Sequence, residues 1–431
     1  MNVNLVLDEG KVVRVTGPAR ITVKSGSVLL VGAIYGSNSQ VIIHRLRSYA
    51  VKAIERSEVN VVLGSGASLE EPKEGEEVID DWLKISEGLV KDTERVGKSL
   101  IVVVGPVESG KTTLTAFITN TLMRYGVKVG IIDADVGQED IALPATIALA
   151  IPEKHFLWQR DLTPTEIRFV GCIAPQYCQD SIIAAVIDLV SSALSYGVST
   201  VVINTDGWLN SHAALTHKLA LIRWLKPTHV VVLDDEVFKY LTKSLPDSVR
   251  VIKAPRPTKV RERSREERRL LRAEAYRKYF LNAKERLVKI NDIKLIYSNL
   301  VCGDTLGMSE LARYLGIDED VIKNNVLFAS KYYNVLNIVI NSESRDLMEL
   351  LKCRRDVCVM RSDDIKGLLV GILNKRLKDV AVGIIKDVDF NEGIIKLLTP
   401  WNGEVSALVI SKVKLSLDTF EDGLKVGRCI L

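Results

Sequence analysis

The sequence of 431 residues lacks the features of several protein classes. No apolar run approaches the roughly 20 residues that a membrane-spanning helix needs, and residues 100–104 and 182–187 are among the longest runs. The N-terminus has no basic segment followed by an apolar stretch, so a secretory signal is not expected. Apolar residues make up 47% and charged residues 26%, which argues against a disordered chain. We therefore expect a cytoplasmic protein of several domains with no membrane partner.

The cysteines and histidines show no metal-binding pattern. The six cysteines have neither C-x₂-C spacing nor a companion pair of histidines, and they are Cys172, Cys178, Cys302, Cys353, Cys358 and Cys429. The histidines are scattered, and His212 and His217 are not spaced to share one helical face. We expect reduced, mostly buried thiols.

Hydrophobic periodicity divides the chain into four parts. Short alternating runs between Gly, Asn and Ser turns predict an N-terminal β-sandwich within residues 1–78, and helical periodicity predicts a connecting helix over 79–98. From residue 99 continuous apolar runs alternate with helices, which is typical of a parallel sheet covered on both faces. The predicted fold class is α/β. A central doubly wound parallel sheet over 99–290 is followed by a mainly β domain over 291–431.

One motif carries a strong chemical signal. Residues 105–112 read GPVESGKT and match G-x₄-G-K-[ST] between an apolar strand and a helix, the context that a phosphate-binding loop (P-loop) requires. Backbone N–H groups of such a loop surround phosphates, Lys111 reaches the β- and γ-phosphates, and the Thr112 hydroxyl binds Mg²⁺. The motif predicts ATP and Mg²⁺, or another divalent ion, as cofactors. The predicted nucleotide contacts are Gly105, Pro106, Glu108, Ser109, Gly110, Lys111, Thr112 and Thr113.

Two acidic residues, Asp133 and Asp135, follow the next apolar run. A short strand, helix, strand unit brings this end of the second strand close to the phosphate loop. One carboxylate could hold Mg²⁺ through water, and another could accept the proton of an attacking hydroxyl. The alternative is that both are ordinary turn residues at the end of a strand.

A third apolar run ends in the sequence Thr205-Asp206-Gly207-Trp208. Trp208 is expected at the same sheet edge, where its ring could stack on a nucleobase. Packing of the ring beside the next helix is the other interpretation. The acidic residues at 234–236 follow a fourth run and are typical of a helix start.

The excess positive charge is concentrated in residues 253–289, which hold fourteen Lys or Arg against five Glu. Arg261, Arg265, Arg268 and Arg272 share one helical face, with Arg263 and Arg269 beside it. A solvated surface helix would explain such a charge run. Its place in a P-loop domain favours an arginine-bearing lid over residues 256–281.

These motifs together resemble those of the polynucleotide 5′-hydroxyl kinases of the RNA-processing type, especially the archaeal polyribonucleotide form. The resemblance rests on residues 105–113, on Asp135-Val136-Gly137-Gln138, on Thr205 to Trp208, on Val231 to Asp234, and on the lid-like segment from Glu262 to Phe280. The N- and C-terminal β parts also correspond, so the resemblance covers nearly the whole chain.

The resemblance implies ATP-dependent phosphorylation of an RNA or DNA 5′-hydroxyl. It implies that Asp135 is the base, that Lys111 and Thr112 contact phosphate and metal, and that an N-terminal domain helps to hold adenine. The lid arginines Arg268 and Arg272 would stabilise charge on the transferred group. The residues implied to contact RNA are Gln138, Trp208, Arg263 and Arg269.

Two other functions are weighed against this kinase. Some members of such a family are scaffold subunits that bind ATP in complexes of RNA-processing proteins, and a shared fold does not guarantee turnover. Intact Lys111, Thr112, Asp135 and the arginine face argue for catalysis. A dimeric partitioning ATPase would need an additional lysine early in the loop, and residues 106–109 contain none.

Overall fold

The computed structural model describes residues 1–45, 47–73, 75–258, 263–298 and 303–424. The first nine strands form two antiparallel sheets that pack face to face around one core, in the orders β1-β8-β3-β6 and β5-β4-β7-β2-β9. Their bounds are β1 (Asn2–Leu7), β2 (Val12–Thr16), β3 (Ala19–Ser25), β4 (Ser27–Leu30), β5 (Ala33–Gly36), β6 (Gln40–Ile43), β7 (Ser48–Ala53), β8 (Ser57–Leu63) and β9 (Ser68–Glu70). Alternate residues point inward, as Tyr49, Val51 and Ala53 do in β7.

A seven-stranded sheet forms the centre of the molecule, in the order β13-β12-β11-β14-β10-β15-β16. Its strands are β10 (Ser99–Val104), β11 (Val129–Ala134), β12 (Thr146–Ala150), β13 (Glu166–Phe169), β14 (Thr200–Thr205), β15 (His229–Val232) and β16 (Arg250–Lys253). The predicted parallel pairing is confirmed from β11 to β16. Strands β12 and β13 instead extend one edge antiparallel, which sequence patterning did not predict.

Helices cover both faces of this sheet. They are α1 (Ile79–Val96), α2 (Lys111–Arg124), α3 (Gln179–Ser195), α4 (His212–Leu225) and α5 (Asp235–Ser244). Ile101 and Val103 of β10 share a core with α1, α2 and the N-terminal strands, whereas Val102 and Val104 pack with α3, α4 and α5. This alternation explains why β10 is apolar throughout, because both of its faces are buried.

The predicted lid contains helix α6 (Arg265–Phe280). Ser264 caps it, since the Ser264 hydroxyl accepts the Glu267 N–H and the Glu267 carboxylate accepts the Ser264 N–H. The C-terminal end of α6 is buried: the Tyr276 hydroxyl donates to the Pro144 carbonyl, and Phe280 stacks on Phe420 at 6.0 Å between ring centroids. Arg261, predicted on the same helical face, lies outside the described residues.

The C-terminal part contains two sheets, where the sequence predicted one mainly β domain. The larger has the order β17-β25-β24-β23-β26-β18, with β27 on β26, and the smaller is β19-β20-β21-β22. The strands are β17 (Lys284–Lys289), β18 (Lys294–Ile296), β19 (Asp304–Thr305), β20 (Val326–Tyr332), β21 (Val335–Ile340), β22 (Val357–Arg361), β23 (Leu368–Leu373), β24 (Asp379–Asp389), β25 (Ile394–Thr399), β26 (Ala407–Leu415) and β27 (Asp422–Leu424). The helices are α7 (Met308–Leu315), α8 (Glu319–Asn325), α9 (Arg345–Lys352) and α10 (Ser362–Ile365). Strand β17 pairs with β25, so the larger sheet begins before residue 291.

The structure corrects one expectation about the thiols. Cys172 and Cys178 form a disulfide, with Cα atoms 6.5 Å apart. The two residues lie on either side of a short turn at residues 175–177, and this turn brings together cysteines whose spacing alone gave no signal. None of the helices in the described ranges is long and apolar enough to cross a membrane.

Candidate nucleotide and acceptor site

The phosphate loop connects β10 to α2 and is shaped by its glycines. Gly110 has φ 93° and Glu108 has φ 59°, so the chain turns through left-handed conformations before α2 begins. A Cβ on Gly105 would lie 2.7 Å from the Ser109 hydroxyl, which leaves room only for glycine. The N-terminal N–H groups of α2 therefore face the concave side of the loop, an arrangement that binds anions.

Buried polar atoms converge on this loop. The Lys111 ammonium donates to the Pro106 carbonyl at 2.8 Å, and burial lowers the pKa of Lys111 to about 8, against the opposing effect of Asp135. The buried Ser109 hydroxyl and the Asn204 Oδ1 have no hydrogen-bond partner among the described residues. Unpartnered buried polar atoms are costly, so their position at the loop fits a phosphate or metal ligand.

The structure separates the two acids that the sequence could not distinguish. Asp133, at 0% exposure, accepts hydrogen bonds from the Asp135 N–H, the Asp140 N–H and the Asn204 amide, and burial raises its pKa to about 8. It does not line the cleft. Asp135 does line it, and its Oδ1 accepts the N–H groups of Gly137 and Gln138. Burial, and next the charge of Asp206, raises the pKa of Asp135.

Oxygen donors suitable for a small hard cation are present at the loop. The Thr112 hydroxyl lies 3.3 Å from the Asn204 amide nitrogen, which also holds Asp133 at 2.9 Å. Thr112 and Asp135 both line the cleft, whereas Asp133 lies behind Asn204. No cluster of three or more acidic, Cys or His ligands occurs in the described part of the chain. These residues fit Mg²⁺ that takes its remaining ligands from phosphate and water.

The turn after β14 also lines the cleft and packs against the phosphate loop. The Asp206 carboxylate accepts the Trp208 N–H at 2.9 Å, and a Cβ on Gly207 would lie 2.6 Å from the Val107 nitrogen of the phosphate loop. The Trp208 ring lines the cleft and also lies 6.2 Å from the His217 ring, between centroids. Trp208 therefore packs on α4 and also borders the cleft, where stacking on a nucleobase stays a prediction.

Sequence reasoning missed two residues behind this turn. Lys218, whose side chain is 1% exposed, pairs with Asp206 at 2.5 Å, and His217 lies 3.8 Å from the same carboxylate. Lys218 lies 12 residues after Asp206, on a different element, and no motif links the two. Only the packing of α4 against β14 brings them together.

The lid arginines fall into two groups. Those that line the cleft are Arg263, Arg265, Arg268 and Arg272. The Arg263 N–H donates to the Glu108 carboxylate at 2.7 Å, which joins the lid to the phosphate loop. Arg272 is held by Asp422 through Nε at 2.5 Å and Nη2 at 3.0 Å. Arg269 is not among the lining residues and pairs with Glu421 instead.

The cleft extends beyond the phosphates toward the N-terminal sheets. Its volume is about 1160 Å³, larger than the roughly 300–1,000 Å³ of a usual single-ligand pocket. It is lined there by Tyr49, Trp82, Phe117 and the ion pair of Arg14 with Glu77, and the Trp82 ring reaches Gly110 of the phosphate loop. None of these residues belongs to a recognisable motif, so the sequence did not predict them as part of the site. An aromatic wall beside polar groups can hold a nucleobase.

Comparison with known proteins identifies relatives of this chain. A family model described as mRNA cleavage and polyadenylation factor CLP1 P-loop matches residues 105–282. The polyribonucleotide 5′-hydroxyl-kinase of Methanocaldococcus jannaschii is 30% identical over 319 residues, which cover 73% of this chain and 85% of that protein. Its counterpart in Pyrococcus horikoshii is 30% identical over 329 residues, covering 76% and 88%.

A solved structure agrees in fold across the whole chain. It is that of the wild-type Clp1p–Pcf11p complex, matched with a TM-score of 0.62 and 13% identity over 96% of this chain and 98% of that chain. This likeness shows the fold. The archaeal proteins are 30% identical to this chain, which covers 85% and 88% of their lengths. The chain therefore belongs to the polyribonucleotide 5′-hydroxyl-kinase family.

Proposed function

We propose that this protein transfers the γ-phosphate of ATP to the 5′-hydroxyl of RNA, and also of DNA. The observation that carries the proposal is one cleft that is lined by the phosphate loop and Lys111 together with Asp135 and Trp208. Relatives that bear the name polyribonucleotide 5′-hydroxyl-kinase support the choice of acceptor.

The donor side follows from the phosphate loop. The triphosphate lies along the N–H groups at the start of α2, with Lys111 turning from the Pro106 carbonyl to the β- and γ-phosphates. The base lies toward Tyr49, Trp82 and Phe117. Thr112 and Asp135 would hold Mg²⁺, which when bound neutralises charge on the β- and γ-phosphate oxygens. Asp133 positions Asn204, and through it Thr112.

The acceptor side provides a base and a stacking surface. Asp135 accepts the proton of the 5′-hydroxyl while the hydroxyl oxygen forms a bond to the γ-phosphorus. The bond from that phosphorus to the β,γ-bridging oxygen breaks, and ADP leaves. Trp208 stacks on the terminal nucleotide. Gln138 and Arg263 of the lid also line the cleft, and both contact the acceptor strand.

The lid contributes charge to the transferred group. Arg268 lies on the cleft side of α6, where its planar guanidinium matches phosphoryl oxygens. Arg272 borders the cleft one helical turn further along, already engaged by Asp422. Arg268 therefore carries the larger share of charge stabilisation.

A scaffold role in an RNA-processing assembly is the second candidate function. RNA-processing proteins as partners of this chain are part of the proposal. The observation that favours it is the fold shared with Clp1p, which its structure shows in complex with Pcf11p. A scaffold would bind ATP without consuming it when an oligonucleotide is added. A cytoplasmic location is likewise part of the proposal.

The deciding experiment uses γ-labelled ATP, Mg²⁺ and RNA or DNA oligonucleotides with either a 5′-hydroxyl or a 5′-phosphate. Label on 5′-hydroxyl ends alone is expected. Asp135→Asn should bind ATP as the unaltered protein does but transfer about 10²- to 10⁴-fold more slowly. Asp247→Asn, an exposed residue after α5, is the matched control. Binding of ATP with no labelled product would support the scaffold role, and normal transfer by Asp135→Asn would remove Asp135 as the base.

A further inference from the structure

A buried ion pair joins Lys218, which does not line the cleft, to Asp206, which lines it beside Trp208. The side chains are 1% and 4% exposed, and the ammonium lies 2.5 Å from Oδ2 of the carboxylate. Burial acts to raise the pKa of Asp206, but the charge and hydrogen bond of Lys218 together with the Trp208 N–H outweigh burial, and the pKa is lowered. A buried ion pair adds little net stability compared with apolar groups of similar volume. Its geometry is therefore more informative than its energy.

The second oxygen of Asp206 shows what the pair fixes. Oδ1 accepts the Trp208 N–H at 2.9 Å, so the carboxylate bridges the Lys218 ammonium and the backbone at Trp208. Between them, Gly207 packs against the phosphate loop so closely that a Cβ would lie 2.6 Å from the Val107 nitrogen. The turn is thus held from α4 on one side and from the phosphate loop on the other.

The Trp208 ring lies beside His217, the neighbour of Lys218 along α4. Its centroid lies 6.2 Å from that of His217, with 33° between the ring planes. Burial, and then the Lys218 charge, lowers the pKa of His217 to about 4, so this imidazole is neutral in the physiological range. Lys218 therefore acts on the Trp208 turn through Asp206, and its charge adds to the effect of burial in keeping the imidazole beside the indole neutral.

We propose that Lys218 is a positioning residue for the acceptor, which orients Trp208 through Asp206 and thereby sets how tightly the 5′-terminal nucleotide of a polynucleotide is held. The inference rests on the proposed function and deepens it. Lys218 does not line the cleft, so it touches neither substrate. Its effect should be larger in acceptor binding than in ATP binding, which Lys218 influences only through its charge on Lys111.

The test measures the Kd of a fluorescent 5′-hydroxyl RNA by anisotropy, and the Kd of ATP separately. Lys218→Met should weaken RNA binding about tenfold, the order of one base-stacking contact, with ATP binding within about twofold. Lys243→Met, an exposed lysine on α5, is the matched control and should change neither. A double variant that combines Lys218→Met with Asp206→Asn removes both charges and leaves an amide oxygen to accept the Trp208 N–H. Because it leaves no unpaired carboxylate buried, it separates misfolding from lost positioning.

A double-mutant cycle with Trp208→Ala gives the decisive outcome. If Lys218 acts through the indole, Lys218→Met should weaken RNA binding no further once Trp208 is alanine. Fully additive effects would overturn the inference, as would unchanged RNA affinity in a folded Lys218→Met protein, or an equal loss of ATP affinity. Because binding needs no turnover, RNA binding by a protein that transfers no phosphate would reject the kinase and leave this test readable.

Discussion

The phosphate loop and the lid helix both bring positive charge to the cleft, but they position it differently. Lys111 follows directly on the loop that it serves, and a hydrogen bond to Pro106, five residues away, fixes its ammonium. The arginines of α6 are carried on a helix whose position depends on Asp422, 150 residues away in sequence from Arg272. The loop charge is thus determined by local backbone geometry, whereas the lid charge depends on the packing of the C-terminal sheet.

The lid shows the same contrast within one helix. Arg268 and Arg272 lie one turn apart on the cleft side. The Arg272 guanidinium makes two hydrogen bonds to Asp422, while Arg268 has no ion pair among the described residues. Two residues that sequence periodicity makes equivalent thus have different surroundings, and substitutions can test the difference.

The largest effect is expected at the loop. Lys111→Ala should lower kcat/KM for phosphate transfer by about 10²- to 10³-fold and also weaken ATP binding, because the buried ammonium faces the phosphates in both ground and transition states. Isothermal titration with ATP and initial rates would measure the two effects. Lys98→Ala, an exposed lysine before β10, is the control. Unchanged ATP affinity in Lys111→Ala would show that the lysine acts only in transfer.

Arg268→Ala should rank second, with kcat lowered about 10²-fold and ATP affinity within about threefold. A lid guanidinium stabilises charge that develops in the transition state, so its loss is expected in kcat. Arg268→Lys should restore only part of the rate, since an ammonium lacks the planar fork. Lys278→Ala, exposed near the end of α6, should match the unaltered protein. An equal loss in that control would contradict a specific role for Arg268.

Asp422→Ala should affect stability first and activity second. Removing one partner of a buried pair is expected to cost about 3 kcal/mol, because the Arg272 charge is left without its acceptor. Thermal unfolding would measure this loss, and rates well below the melting temperature should fall by less than in Arg268→Ala. Arg272→Ala should be similarly unstable but slower in transfer. Equal rates for these two variants would show that Arg272 only anchors the lid.

The smallest effect is expected for Arg269→Ala. Arg269 pairs with Glu421 at 2.8 Å, and both side chains are substantially exposed, so the pair contributes roughly 0–1 kcal/mol. Transfer rate and RNA affinity should remain within about twofold, because Arg269 does not line the cleft. A clear fall in RNA affinity would instead support the sequence-based prediction that Arg269 contacts RNA.

Local sequence predicted much of the fold and part of the site. Runs buried on both faces predicted β10, β11, β14 and β15, because a strand with two covered faces has no polar alternation. The acids at 234–236 were predicted as a helix start, and the Asp234 side chain does accept N–H groups at the start of α5. The antiparallel strands β12 and β13 and the second C-terminal sheet escaped prediction, since short apolar runs do not reveal their partners.

What the sequence by itself determined is the phosphate loop, because the glycines, the lysine and the start of α2 lie within eight consecutive residues. Only the tertiary structure decided which acid borders the cleft, which arginine is held by Asp422, and that Lys218 lies behind Trp208. The physical reason is that these surroundings depend on how separate elements of the fold pack together. Contacts within one turn are encoded by adjacent residues, whereas the pairing of α4 with β14, and of α6 with β27, arises only when separate segments bury their apolar faces together.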